Sequence, residues 1–318
     1  MQEPKYQKHI YHKGRIKQIP IYLGKMIRSF IYQDDWKVIP MAAIIAGLVA
    51  FVAAQDYGKT VEGTVMGSLA LTCICIWNGF FNSVQVVCRE RDIVKREHRG
   101  GLHISSYIVA HMIYQALICF MQTIVTVAVC RFAELAFPTD GFVTYWFDFD
   151  IGITIFLVTY AADMMALALS CIARNTTAAM TAMPFMLIFE LLFSGRMFNL
   201  GPGIQPITNL SIAKWGLNCM CAQVDHNHLP MITIWNQIFG FRDYEFLGQK
   251  PVDIFVHFME ENNLVDAFCS WCASNTARPE LEMTLKNIGN CWINLLIFIA
   301  VFAIIALVAL ERIDKDKR

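Results

Sequence analysis

Six long apolar stretches, separated by polar segments, constrain the fold of this chain more than any other feature. They run approximately over 38–54, 63–87, 107–130, 149–172, 177–199 and 288–310. A bilayer core of about 30 Å needs about 20 apolar residues in a helix. Lipid offers no partner to free backbone groups, so each spanning segment is expected to be helical. Only 16% of the residues are charged, against about 25% in an ordinary globular domain. The sequence therefore predicts an all-α polytopic membrane protein with six transmembrane helices.

The distribution of basic residues around these spans predicts their orientation. If both termini are cytoplasmic, the cytoplasmic segments hold 18 of the 26 Lys and Arg residues. Residues 1–38 are long and basic and lack a small-residue cleavage site, so the first span is expected to act as the insertion signal. We expect a multi-pass protein of the cell membrane with both termini inside.

The segments between the spans divide the chain into four regions, which run over 1–35, 36–200, 201–287 and 288–318. The first region holds a basic amphipathic helix, expected to lie in the membrane interface or to dock a partner protein. The third is expected to form a small extracytoplasmic subdomain between the fifth and sixth spans. Within it, 207–221 is expected to re-enter the interface as an amphipathic helix.

The loop 88–106 between the second and third spans is densely charged. Its charged run, 89–99, is followed directly by Gly100 and Gly101. The charges by themselves are also explained by a loop that is exposed to solvent. The glycines and the nearby start of the next span favour a short, rigid elbow offered to a partner.

No nucleotide-binding loop is present in the sequence. Gly58-Lys59-Thr60 matches the last three residues of such a loop. The loop also needs a glycine five positions before Gly58, and that position is Ala53. A phosphate cradle requires the whole glycine-rich loop. This chain is therefore not expected to be an ATPase, and it is expected to carry no cofactor of its own.

Four of the eleven cysteines lie in the long segment between the fifth and sixth spans. They are Cys219, Cys221, Cys269 and Cys272. An even number in an oxidising compartment favours disulfides, while free thiols and a zinc site are the alternatives. No companion residue requires a zinc ion, so no metal site is predicted.

Two acids fall inside spans, Asp163 in the fourth and Glu190 in the fifth. Intramembrane carboxylates are costly unless they are paired or face water, so they are functional candidates. The two spans are hairpin neighbours, and we expect the acids to share a polar relay. The alternative is that each is a structural tie between helices.

Three stretches of this sequence are similar to a known family. They are 90–97 (ERDIVKRE) with the glycines that follow it, 193–200 (FSGRMFNL) and 206–215 (PITNLSIAKW). Together with the amphipathic helix before the first span, they resemble the ABC-2 type permeases, in particular the transmembrane domain of the ABCG (White/BCRP-type) half-transporters.

The resemblance implies the permease subunit of an ATP-driven exporter that works by alternating access. Its partners would be an ABC ATPase subunit or domain carrying Mg-ATP, a second permease copy and the lipid bilayer, with no nucleic acid. Coupling to the ATPase would fall to Glu90, Lys95, Arg96 and Glu97 in the charged loop.

The resemblance also implies a central cavity between the second and fifth spans of the two copies. Its walls would include Asn78, Phe81, Phe185, Ile188 and Leu191. Aromatic and aliphatic walls with one amide suit an amphipathic, lipid-like or drug-like substrate, although plain helix packing has the same composition. The outer gate would hold Arg196 and Met197, which depart from the aliphatic pair of some relatives.

Two rival functions remain open from the sequence alone. An ion-coupled secondary transporter would use Asp163 and Glu190 as proton sites, but such proteins usually show inverted repeats, and none is evident. A non-transporting sensor or assembly protein would use the long 201–286 segment as a receptor surface.

Overall fold

The computed structural model describes residues 14–32, 35–53, 55–196, 198, 201, 203–246 and 248–312. Within these ranges the chain folds into twelve α-helices, joined by turns and short 3-10 helices, with no β-sheet. The helices are α1 Arg15–Tyr32, α2 Val38–Ala53, α3 Val61–Ser83, α4 Val86–Arg99, α5 Ile104–Phe132, α6 Phe147–Ile172, α7 Thr176–Leu192, α8 Ile212–Gln223, α9 Ile232–Gly240, α10 Pro251–Glu261, α11 Val265–Thr276 and α12 Leu285–Glu311.

Five helical segments in the described ranges are long and apolar enough to cross a membrane. They contain α2, α3, α5, α6 and α12, and α7 is a shorter apolar helix of 17 residues with Pro184 inside it. At 1.5 Å per residue α7 is about 26 Å long, slightly less than a bilayer core. The predicted all-α polytopic membrane fold is confirmed, with a fifth span that ends at Leu192 rather than at residue 199.

Helix α6 lies at the centre of the bundle, and most of its residues are buried. Helices α3 and α12 both pack against it. A Cβ added to Gly79 of α3 would collide with the Thr159 carbonyl oxygen of α6 and would lie 2.7 Å from the Asp163 nitrogen. Small residues drive helix association in lipid because they let two backbones approach closely. Gly79 therefore sets the distance between α3 and α6.

The amphipathic helix α1 docks on the chain's own α4–α5 turn. The Gln18 side chain donates to the Gly101 carbonyl at 3.0 Å and accepts from the His103 nitrogen at 2.9 Å. On its outer side, Ile16 and Ile31 remain 82% and 61% exposed. One side of α1 therefore contacts this chain itself rather than a separate protein, and the other side carries exposed apolar residues. The predictions that this helix lies in the membrane interface or docks a partner protein stay predictions.

The charged segment 88–106 is a helix for most of its length rather than a loop. Helix α4 begins at Val86 and ends at Arg99, and the chain then turns at Gly100 and Gly101. Gly101 has a φ of 104°, which a residue with a side chain rarely adopts. This turn leads directly into α5, so α4 and α5 are joined without a flexible linker.

Helix α8 was predicted to lie in the interface, and that prediction is wrong. Ten of its twelve residues are buried, and it packs against α3, α6 and α12. A Cβ on Gly216 would lie 2.7 Å from Val158 Cγ2 of α6. The helix therefore re-enters the bundle itself, and its polar residues Asn218 and Gln223 are buried there together with its apolar ones.

A subdomain of three short helices, α9 to α11, lies between α8 and α12 in the chain. Its small core contains Trp235, Val256, Met259 and Cys269. It meets the start of α3 through the Val61 nitrogen, which donates to the Pro230 carbonyl at 3.1 Å. Helix α3 thus runs from this subdomain to α4, and the two ends of the bundle are called the subdomain end and the α4 end below.

We expect Gly79→Ala to lower the free energy of unfolding by about 1–3 kcal/mol, because the added methyl group meets α6 backbone that cannot move aside. Gly152→Ala in α6 is the matched control, since nothing lies within 4 Å of a Cβ there. Thermal unfolding of both variants in detergent measures the difference. Equal melting temperatures for the two variants would contradict the proposed α3–α6 contact.

Candidate functional site

One face of α4 is held by α1. The Tyr22 hydroxyl donates to Glu97 Oε2 at 3.0 Å, and Lys25 Nζ lies 3.8 Å from Glu90 Oε2 and 4.0 Å from Glu97 Oε1. Burial, followed by the charge and hydrogen bond of Glu97, raises the pKa of Tyr22. Glu90 and Glu97, two of the predicted coupling residues, are therefore engaged inside the chain.

Another face of α4 is held by the end of α6. The backbone nitrogens of Val87 and Cys88 both donate to Ser170 Oγ at 3.1 Å. Arg91 Nη1 donates to the Cys171 carbonyl at 2.9 Å and to the Ala173 carbonyl at 3.0 Å. These bonds satisfy groups at the start of α4 and the end of α6 that have no partner within their own helices. Helix α4 is thus tied to α6 as well as to α1.

A third face of α4 is exposed and charged. We call it the α4 stripe, and it consists of Arg89, Asp92, Ile93, Arg96 and Arg99. Its members recur at helical spacing, so they point in one direction. Of the predicted coupling residues only Arg96 lies on it, and Lys95 is half-buried. The other members were not predicted from the sequence, because the segment was interpreted as a loop, although their spacing of three and four residues indicates one face of a helix.

Glu190 is bound to the start of α8. Its Oε2 accepts from Ser211 Oγ at 2.7 Å and from the Ala213 nitrogen at 2.9 Å, and the residue is 2% exposed. The first N–H groups of a helix lack partners within it and carry partial positive charge. A carboxylate at this position accepts hydrogen bonds from the N–H groups and carries the opposite charge. Glu190 therefore joins α7 to α8.

Asp163 has a different environment near the middle of the bundle. It is fully buried in α6, and neither carboxyl oxygen has a hydrogen-bond partner among the described residues. No hydrogen bond joins it to Glu190, whose carboxylate is engaged with α8. The predicted polar relay between these two acids is therefore wrong as a direct pair, and Glu190 fits the structural alternative.

The predicted cavity residues do not share one surface. Phe81, Phe185 and Ile188 are 50%, 71% and 52% exposed, and Leu191 is half-buried. Asn78 is 6% exposed, one position after the exposed Trp77 of α3. The helical rotation of about 100° per residue turns Asn78 into the bundle, so the placement of Asn78 in a cavity wall is wrong for this chain.

The four cysteines predicted to form disulfides are free thiols in the structure. Cys219 packs with Ile288 and Cys291, whereas Cys221 packs in a separate cluster with Leu217. Cys269 belongs to the core of the α9–α11 subdomain. None of the predicted disulfides is formed, and Cys219, Cys221 and Cys269 lie in three separate apolar clusters. No cluster of His, Cys, Asp and Glu among the described residues could hold a metal ion.

The predicted gate residues fall just beyond α7. Arg196 lines a cavity of about 310 Å³ at the subdomain end, together with Lys214 and Arg278. Met197 lies outside the described residues. The placement of Arg196 and Arg278 around one cavity was not predicted from the sequence, since 82 positions separate them and no local pattern links them.

We expect Glu190→Gln to lower the free energy of unfolding by about 1–3 kcal/mol, because it replaces one carboxylate oxygen with a donor group facing other donors. Combining it with Ser211→Ala should cost less than the sum of the single changes, since both break the same contact. Combining it with Asp163→Asn should be additive to within about 0.5 kcal/mol. Thermal unfolding of the five variants tests both expectations, and non-additivity with Asp163→Asn would restore the relay.

Comparisons with known proteins agree with this architecture. The sequence profile of the ABC-2 type transporter family matches residues 25–223, well over half of the chain. The chain is also similar to the ABC transporter ATP-binding/permease protein Rv1747 of Mycobacterium tuberculosis, with 29% identity over 155 residues. That alignment covers 47% of this chain and 18% of the relative, so this chain spans only a small part of the relative's length. The chain therefore belongs to the ABC-2 type transporter family and is a multi-pass membrane permease.

Proposed function

We propose that this permease is the membrane half of an ATP-driven exporter, in which two permease copies move an amphipathic substrate by alternating access. The ATPase, with Mg-ATP, is supplied by a partner chain or domain. The observation that carries the proposal is the structure of α4, which is fixed to two neighbouring helices and presents a charged stripe. Support also comes from the Mycobacterium tuberculosis relative, which is named as an ATP-binding/permease protein.

Helix α4 is suited to pass a displacement from an ATPase to the membrane helices. A partner that binds the α4 stripe contacts Arg96 and its neighbours without disturbing Glu97, which is bonded to α1. Because α4 is bonded to Ser170 and to the last carbonyls of α6, a push on α4 moves α6. Helices α3 and α12 pack on α6 and would move with it. Rigid-body motion of packed helices is a common basis of such transitions.

The residue types on the exposed face of α7 favour contact with a second permease copy. Near the α4 end this face carries small or polar residues, namely Thr177, Ala178 and Thr181. By contrast, the exposed face of α12 carries Leu296 and Ile304, as expected for contact with lipid. Small and polar residues in a span are typical of helix–helix contacts. We propose that this α7 face meets the second copy and that Phe185 and Ile188 line the path for the substrate.

The proposal includes an orientation with the α4 end in the cytoplasm. We expect a cysteine at Glu245 to react with a membrane-impermeant maleimide in intact cells, and a cysteine at Arg96 to react only after permeabilisation. The native cysteines are buried except for the half-buried Cys73, so the unmodified chain is a low-background control. Labelling of Arg96→Cys, but not of Glu245→Cys, in intact cells would reverse the orientation.

Charge reversal in the α4 stripe is expected to uncouple the transporter. Arg96→Glu should reduce ATP-driven transport and copurification of the ATPase at least tenfold, since a lost interfacial ion pair costs about 2–5 kcal/mol. Its melting temperature should not change, because the side chain is exposed.

Glu97→Gln is the matched comparison on the neighbouring position. It weakens the hydrogen bond from Tyr22, so it should lower the free energy of unfolding by about 1–3 kcal/mol and leave the α4 stripe intact. Normal transport and normal ATPase copurification by Arg96→Glu would show that α4 does not bind the ATPase.

A further inference from the structure

The cavity beyond α7 contains an excess of positive charge. Arg196, Lys214 and Arg278 line it, and Glu280 is the one acid among its lining residues. The three cations come from the end of α7, from α8 and from the turn before α12. The fold therefore brings together charges that are widely separated in the chain.

These positive charges have little compensation from the described residues. Arg196 Nη2 is buried without a hydrogen-bond partner, and no ion pair to a described acid is formed by Arg196, Lys214 or Arg278. Lys214 Nζ donates to Asn209 Oδ1 at 2.7 Å and lies 5.5 Å from the centre of the Trp215 ring. Burial, followed by the charge of Arg278, lowers the pKa of Arg196, which lies outside the span, and the charge of Glu280 opposes this shift without cancelling it. Like charges that line one cavity favour an anion between them.

An exposed apolar stripe borders this cavity. Residues three apart lie on the same side of a 3-10 helix, and Gln205–Leu210 forms such a helix. Gln205 and Thr208 line the cavity. Ile204, Ile207 and Leu210 form the apolar stripe, with exposures of 47%, 39% and 64%. A polar side and an apolar side of one short helix thus meet at the mouth of the cavity.

We propose that this cavity binds the anionic headgroup of an amphiphile, a phosphate or a carboxylate, whose apolar chain lies along Ile204, Ile207 and Leu210. Arg196 and Arg278 supply planar guanidinium donors, which match the oxygens of phosphate and carboxylate. Lys214 adds a third positive charge, and Gln205 and Thr208 offer further polar contacts. The amphiphile is either a membrane lipid or the exported molecule, and the second identification rests on the proposed function.

Binding can be measured on the full-length permease in neutral detergent, without an ATPase. The probes are dihexanoyl phosphatidic acid, the zwitterionic dihexanoyl phosphatidylcholine and inorganic phosphate, titrated by calorimetry. We expect the phosphatidic acid to bind most tightly, and Arg196→Gln or Arg278→Gln to weaken that binding about tenfold, because each removes a charge-assisted contact. Arg242→Gln is the control, since Arg242 Nε is already 3.3 Å from Asp253 Oδ1.

The proposal makes a second prediction that does not depend on ligand. Because Arg196 and Arg278 repel each other, Arg278→Gln should leave the melting temperature of the ligand-free protein unchanged or raise it. Equal binding of the phosphatidic acid and the phosphatidylcholine would overturn the proposal, as would wild-type affinity in both arginine variants. Inorganic phosphate that binds as tightly as the phosphatidic acid would overturn the role of the apolar stripe.

A transport assay with the reconstituted ATPase distinguishes the two sources of the amphiphile. If Arg278→Gln loses both binding and export, the site takes the exported molecule, and if it loses binding alone, the site takes a membrane lipid. Both results support an anion site in this cavity. Absence of ATP-driven export by the wild-type complex would contradict the proposed function and would leave the binding result standing.

Discussion

The contact between Glu190 and the first turn of α8 is the interaction on which the subdomain end of this protein depends. A helix that starts inside a membrane bundle exposes N–H groups that no water can satisfy. Glu190 accepts from the Ser211 hydroxyl and the Ala213 nitrogen at that point, so it satisfies one of the first backbone donors of α8 inside the bundle. Once inside, α8 packs closely on α6 at Gly216. It then positions Lys214 beside Arg196 and Arg278.

The two ends of the bundle differ in their surface chemistry, and α6 connects them. At the α4 end, hydrogen bonds join α1, α4 and α6 into one unit, with the charged α4 stripe on its surface. At the subdomain end, α8 and the turn before α12 surround a cationic cavity next to an exposed apolar stripe. A partner that displaces α4 would therefore act on a chemically distinct site at the far side of the bundle, through helices that are already packed together.

Sequence patterns were sufficient for the helical spans, the amphipathic helix and membership of the ABC-2 type transporter family. They did not give the role of each polar residue, and the closer likeness to the ABCG half-transporters stays a prediction. Arg96 and Glu97 are adjacent in one charged run, yet Arg96 is exposed while Glu97 is bonded to Tyr22. Asn78 was placed in a cavity wall, although its position on α3 turns it into the bundle. Asp163 and Glu190 were paired because their spans are neighbours, yet Glu190 is engaged by a segment 21 residues further along the chain.

The sequence by itself determined the membrane-spanning helical fold, because hydropathy over about 20 residues is a local property and lipid permits few alternatives. It also determined that α4 carries charge and that Glu190 is buried in an apolar span. Only the tertiary structure decided which groups meet. The hydrogen bonds of Glu190 with Ser211 and of Tyr22 with Glu97, and the placement of Arg196 and Arg278 around one cavity, join distant segments. Such contacts depend on the rotation and crossing of packed helices, which no pattern along a single helix specifies.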